Sequence, residues 1–240
     1  MFLASPFLAL ALASFTPAAP ATAPAAQTPV KMEDMFPMPK EGLTITVDHV
    51  GDKSMRLDAL VDEFSRVTGI TIQTVKDSQS NLRAVPIGLN RTIVVPPSEV
   101  YRIFETLLVA NEFALIHLSD VEPRIWVVQS FTARGPQLRS NALYVAESDL
   151  GQWASHPATL ITTTVNLPNT DVRTLSNSMR SMFTDANTQQ IIPVGSTGLL
   201  VTGFAGNVNA LVRMFRFIDG LESAQPRVTE PSAKPAPAAK

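Results

Sequence analysis

Apolar and polar positions fall into two separate stretches of clean periodicity. In the first, "LTITVDHV" at 43–50 alternates as a half-buried strand does. Ser54 is placed to cap a helix whose apolar residues Leu57, Leu60, Val61, Phe64 and Val67 recur at helical spacing. Gly69 suits the left-handed stop that ends it. "ITIQTV" at 70–75 reads as a strand, and beyond a polar break "TIVV" at 92–95 reads as another. Pro96-Pro97-Ser98 then opens a helix striped by Val100, Ile103, Phe104, Leu107 and Leu108. "FALIHL" and "RIWVVQ", joined by Ser119 to Pro123, read as a hairpin.

The second stretch repeats the plan on a smaller scale. "LITTTVNL" at 160–167 puts Ile161, Thr163, Val165 and Leu167 on one face of a strand. Leu160, Thr162, Thr164 and Asn166 lie on the other, which predicts one wet sheet face. Residues 169–171 cap a helix that turns Val172, Leu175, Met179, Met182 and Phe183 inward. Pro193 removes a ladder donor from "QIIPV" and predicts an edge strand. A strand at Leu199 to Thr202 follows, then a turn through Gly203 and Gly206. The last helix is striped by Val208, Leu211, Val212, Phe215, Ile218 and Leu221. The fold class is therefore α+β: two small modules, each a short mixed sheet with two helices packed on it, the first with an added hairpin.

The flanks differ in character. Phe2 to Phe15 is an apolar run of signal-peptide length, with A-x-A cleavage sites at 19–21 and 23–25 but no basic residue before Lys31. The expected organisation is a signal peptide at 1–25, a Pro/Ala-rich disordered spacer at 26–42 and a first module at 43–132. A linker at 133–158, a second module at 159–222 and a disordered tail at 223–240 complete it. No later stretch approaches the ~18 apolar residues of a spanning helix, so the mature chain is expected to be exported and without a membrane segment.

Composition narrows the chemistry. A net charge of −2 gives no field that would gather nucleic acid or anionic lipid. With no cysteine, thiolate metal sites, disulfides and a thiol nucleophile are excluded. The glycines at 203 and 206 follow a strand and precede a helix, as in a phosphate loop. They lack the G-x-G-x-x-G spacing and the lysine that such loops need, and read as turn residues with Asn207 helping to cap the helix. "GSTG" at 195–198 has the spacing of an RNA-clamping loop, but it lies between two strands without a basic residue and reads as a hairpin turn. Of the three histidines, His49 and His117 read as sheet residues, and His156, before Pro157 in the linker, as solvated. Trp126 and Trp153 read as packing anchors. No catalytic, cofactor-binding or metal-ligating constellation emerges, so no cofactor and no enzymatic activity are expected.

The second module, "TTTVNLPNTDVRTLSNSMRSMF" followed by "IIPVGSTGLLVTGFAGNVNALVRMFRFIDGL", resembles the repeated periplasmic domain of secretins, the outer-membrane channels of type II secretion and type IV pili. The likeness rests on the apolar strand ending at Gly203 and the helix closing at Ile218-Asp219. The family's usual Asn at the start of that strand is Gly198 here. The first module, through "LDALVDEFSRVTGITIQT" and "VPPSEVYRIFETLLVANEFALIHLSDVEPRIWVVQ", resembles the domain that opens secretins and is shared with TonB-dependent receptors. Secretins continue into further repeats and a β-barrel, which this sequence does not contain, so it is expected not to be the pore itself.

The resemblance implies an exported, periplasmic, non-enzymatic adaptor or scaffold of a secretin-type secretion or pilus system. Its partners would be a secretin, another secretion component or a second copy. The alternative is a periplasmic ligand-sensing or signalling module, with an exported enzyme third. The residues expected to dock are Thr162 and Thr164 on the wet face and Pro193 at the edge.

Overall fold

The computed structural model describes residues 32–47, 55–119, 122–131, 138–183 and 185–224. The leader at 1–25, the start of the spacer, His49, the Ser54 cap and the tail from 225 lie outside the described residues.

Part of the spacer is ordered and packed. Residues Met32–Met35 form a short helix, α1, and Met35 is buried. Strand β1 (Leu43–Ile45) leads to α2 (Leu57–Thr68), whose five apolar positions are all buried and which ends on Gly69 at φ +74°, as its pattern requires. After β2 (Thr71–Thr74) the polar break is itself a helix, α3 (Lys76–Ala84). One Leu and one Ser hold it down: Leu82 enters the core, and Ser78 Oγ accepts from Ser130 N at 3.1 Å. Strand β3 (Ile93–Val95) precedes α4 (Val100–Ala110), which Pro97 opens within a 3-10 turn. The hairpin is β4 (Phe113–Ser119) and β5 (Ile125–Ser130).

The first module does not make a single mixed sheet. Strands β1 and β3 pair antiparallel as one ribbon, while β2, β5 and β4 form a three-stranded sheet with a parallel β2–β5 pair. The core between them holds Phe64 and Phe104 stacked at 3.7 Å, with Trp126 fully buried on β5.

The expected linker adds more than one element. Strand β6 (Leu143–Tyr144) and helix α5 (Leu150–Trp153) both belong to the second module, β6 as a parallel edge strand. There β7 (Leu160–Asn166), α6 (Val172–Met179), β8 (Gln190–Val194), β9 (Gly198–Phe204) and α7 (Ala205–Ala224) complete a sheet of order β6-β7-β9-β8. Strand β8 lies at an edge, where Pro193 costs no ladder bond to a further strand. Asp171 caps α6, accepting from the backbone N–H of Arg173 and Thr174. The "GST" of 195–197 is a three-residue hairpin loop with Gly195 at φ +67°.

The expected turn through Gly203 and Gly206 is absent. Gly203 is paired inside β9 and Gly206 sits in the first turn of α7, neither at positive φ. The strand passes straight into the helix. Nor does bulk demand glycine at 203: a Cβ there would make an ordinary van der Waals contact, 3.4 Å from Val208 Cγ2. At Gly198 a Cβ would meet Val194 O at 2.6 Å, which no side chain tolerates at the hairpin mouth.

Candidate functional site

The two modules meet on the back of the first sheet. Ala114, Ile116 and Val127 pack there against Leu160 and Phe204, which are cross-strand partners at one end of the second sheet. The face expected to be wet is therefore dry at this end and polar beyond it. A backbone bond crosses the contact, Leu115 N donating to Ala158 O at 2.9 Å, and beside it Ala205 N donates to Thr159 O at 3.0 Å, prolonging the β7–β9 ladder.

Beside this seam lies a buried polar network that the sequence reading missed. Glu105 projects from α4 and is fully buried, although it carries a carboxylate. Its Oε1 lies 2.7 Å from His156 Nδ1, and its Oε2 accepts from Ala158 N at 3.0 Å and from Thr159 Oγ1 at 3.2 Å. Because the Thr159 hydroxyl donates to the carboxylate, it accepts from His117 Nε2, 3.3 Å away. His156, expected in solvent, is only 7% exposed. Pro157 does not place it in water; the carboxylate across the seam takes it in. One signal pointed to Glu105: it sits four residues after Tyr101 and three before Leu108, on the apolar side of its helix.

Phe36 closes the network from outside. Its ring lies 3.8 Å from that of His156, and it meets Tyr101, His117, Trp126 and Trp153 edge-on at 5.3 to 5.7 Å. The next residue is fixed as well, Pro37 O accepting from the Tyr101 hydroxyl at 2.6 Å. Burial pushes the Tyr101 phenol well above its usual pKa, so it stays a donor. Both tryptophans are buried as packing anchors.

A carboxylate orienting an imidazole is also the start of a base-catalysis relay. Here the Thr159 hydroxyl serves the carboxylate rather than the imidazole, and the Phe36 ring lies over His156. Among the described residues no group of three His, Asp or Glu side chains converges as a metal site. The arrangement joins two modules.

The residues expected to dock separate into two places. Thr162 and Thr164 share the open face, where Thr162 bonds Thr202 at 2.7 Å and Thr164 bonds the exposed Tyr144 at 3.0 Å. Pro193 pairs with Leu199, in register with Val165, and so belongs to the opposite, helix-bearing side. Its missing N–H blunts β8 against strand addition.

Asp219, the family-like residue of the last helix, has a structural task. It is nearly buried and accepts from Asn169 N, Asn169 Nδ2 and Thr170 Oγ1, tying α7 to the start of α6. Burial alone would raise its pKa, but the bonds from Asn169 and Thr170 outweigh it and hold the carboxyl below its ordinary value. A depressed carboxyl adds stability that is full above the ordinary range near pH 4 and lost as pH falls through the lowered pKa. Asp219→Asn is expected to flatten that acid limb in urea titrations run from pH 6 to pH 2.

No protein-family model matches the sequence, and no curated protein is significantly similar to it. Solved structures are similar. A Klebsiella pneumoniae type II secretion outer-membrane complex of PulD, PulS and the PulC HR domain aligns over 69% of this chain, with 18% identity and a TM-score of 0.51. This is the fold of secretin N-terminal domains. The secretin-like chain spans about a quarter of the length of that structure's chain, 26%. An enterotoxigenic Escherichia coli GspC–GspD complex aligns over 75% of the protein and 99% of its own chain, at 16% identity. The N-terminal domain of the Pseudomonas aeruginosa secretin XcpQ aligns over 75% and 63%, at 13% identity. Their TM-scores of 0.25 and 0.24 add nothing to the assignment. The α+β class and the secretin-like fold expected from the residues are both found.

Proposed function

We propose that this protein is an exported, periplasmic, non-enzymatic adaptor or scaffold of a secretin-type secretion or pilus system, acting by protein–protein docking. The observation that carries the reading is the fold shared with a part of a type II secretion outer-membrane complex. The joint between the modules supports it. A buried carboxylate, two histidines and an aromatic cage hold two small domains as one body, as a scaffold presenting fixed surfaces requires. The apolar run from Phe2 to Phe15 supports export, and no described helix is long and apolar enough to cross a membrane. The docking surface on this reading includes the Thr162/Thr164 face.

Cross-linking in intact cells with tagged full-length protein tests it. Recovery of a secretin or of its inner-membrane ring is the expected result. A cytoplasmic location with no envelope partner would overturn the reading.

A further inference from the structure

A cavity of about 200 Å³ opens beside the seam, between the start of α4 and the connection to the second module. Phe36, Met38, Pro97 and the Tyr101 ring make its apolar walls. Its polar lining comes from both sides: Ser98 and Arg102 from the first module, Ser155 and His156 from the connection. Among the described residues that line it there is no carboxylate.

His156 leaves a polar atom for a ligand to satisfy. Its side chain is only 8% exposed, and Nδ1 is committed to Glu105 Oε1. An ionised carboxylate only accepts, so Nδ1 carries a hydrogen. Nε2, the other ring nitrogen, holds no hydrogen bond among the described residues. Unlike the buried Trp126 Nε1 it is not sealed in, and it opens into the cavity that His156 lines.

The groups around that nitrogen give the ligand its chemistry. Ser98 lies in the 3-10 turn that opens α4, and neither its N–H nor its hydroxyl holds a bond among the described residues. The helix start adds a partial positive charge. Arg102 bonds Glu99 through Nε, at 2.5 Å, and both of its Nη groups are without a bond among the described residues. The Ser155 hydroxyl gives its proton to Gln152 O. Since Glu99 offsets the charge of Arg102, the attraction lies in directed donors rather than in net charge.

We propose that this cavity binds a small carboxylate with an apolar body. The carboxylate lies between His156 Nε2, Ser98 and the Arg102 guanidinium, and the body rests against Phe36, Met38 and Tyr101. The ring takes its second proton from solvent, and Nε2–H donates to the ligand. That proton cancels the negative charge the ligand brings, so the buried site gains no net charge. The site goes beyond the docking role and does not depend on it.

Phenylpropanoate is the probe, with phenylpropanamide as a neutral control of the same shape. Isothermal titration calorimetry with the full-length protein is expected to show the acid binding roughly tenfold more tightly than the amide. Ser98→Asp puts a like charge at the cavity while suiting a helix start. It is expected to weaken the acid about tenfold without lowering the melting temperature. In proton–nitrogen correlation spectra of histidine-labelled protein, the acid is expected to move the His156 Nε2 resonance and to leave that nitrogen protonated in the complex.

Equal binding of acid and amide, no binding of the acid, an unchanged affinity in Ser98→Asp, or a His156 ring that does not respond overturns the proposal. None of these outcomes bears on the docking role, which the cross-linking in cells tests separately.

Discussion

Glu105→Ala is expected to lower stability by about 3–5 kcal/mol, the usual cost of removing one partner from a buried, hydrogen-bonded charged pair. The side chain is fully buried and accepts from three groups on the far side of the seam. Its loss strands the Ala158 N–H, the Thr159 hydroxyl and His156 Nδ1 in a place water does not reach. For a protein of this size the melting temperature should drop by roughly 10 °C, read by differential scanning calorimetry. Glu105→Gln separates the acceptor from the packing. An amide keeps the shape and one oxygen but turns a donor toward groups that also donate, so a smaller loss of about 1–2 kcal/mol is expected. Equal melting temperatures for wild type and Glu105→Ala would mean that the network does not bear on stability.

Phe36→Ala should cost about 2–4 kcal/mol and change the character of unfolding as well as its midpoint. Phe36 touches rings from both modules, Tyr101, His117 and Trp126 from the first and Trp153 and His156 from the connection to the second. Without it, the modules lose a shared element, and a small module left alone is marginal. Urea unfolding followed by tryptophan fluorescence and by circular dichroism is expected to coincide in wild type and to separate in the variant. Limited proteolysis should then cut first near residues 153–159. Coincident curves in the variant would show that the backbone bonds of the seam couple the modules without Phe36.

What the sequence revealed and what it hid divide along physical lines. Helices α2, α4 and α7 and strand β7 bury one side of a repeat, so the spacing of their apolar residues was enough to find them. Helix α3 buries Leu82 alone among its large apolar residues, and no period can be read from one residue. The segment around α1 looked like spacer because its prolines exclude regular structure, yet it is held by Phe36, Pro37 O and Met35, contacts with residues far away in sequence. His156 was misjudged for the same reason. Its environment is set by Glu105, fifty-one positions earlier. Gly203 was read from conformational freedom, whereas the structure pairs it inside β9 without positive φ and with room for a Cβ. Of the residues expected to dock, Thr162 and Thr164 share one face, but strand parity puts Pro193 on the other.

The segment from Trp153 to Leu160 has a consequence for how such proteins can vary. Within these few residues, His156 reaches Glu105, Ala158 O receives Leu115 N, Thr159 O receives Ala205 N, and Leu160 enters the seam. Every bond is fixed by counting along the chain, so the segment has no slack. An insertion of one residue would shift Ala158 and Thr159 out of step with Leu115 and Ala205, or draw His156 away from its carboxylate. The length of this connection therefore works as a ruler: it specifies the angle between the modules, and relatives that keep that angle should keep the count even where they change the residues.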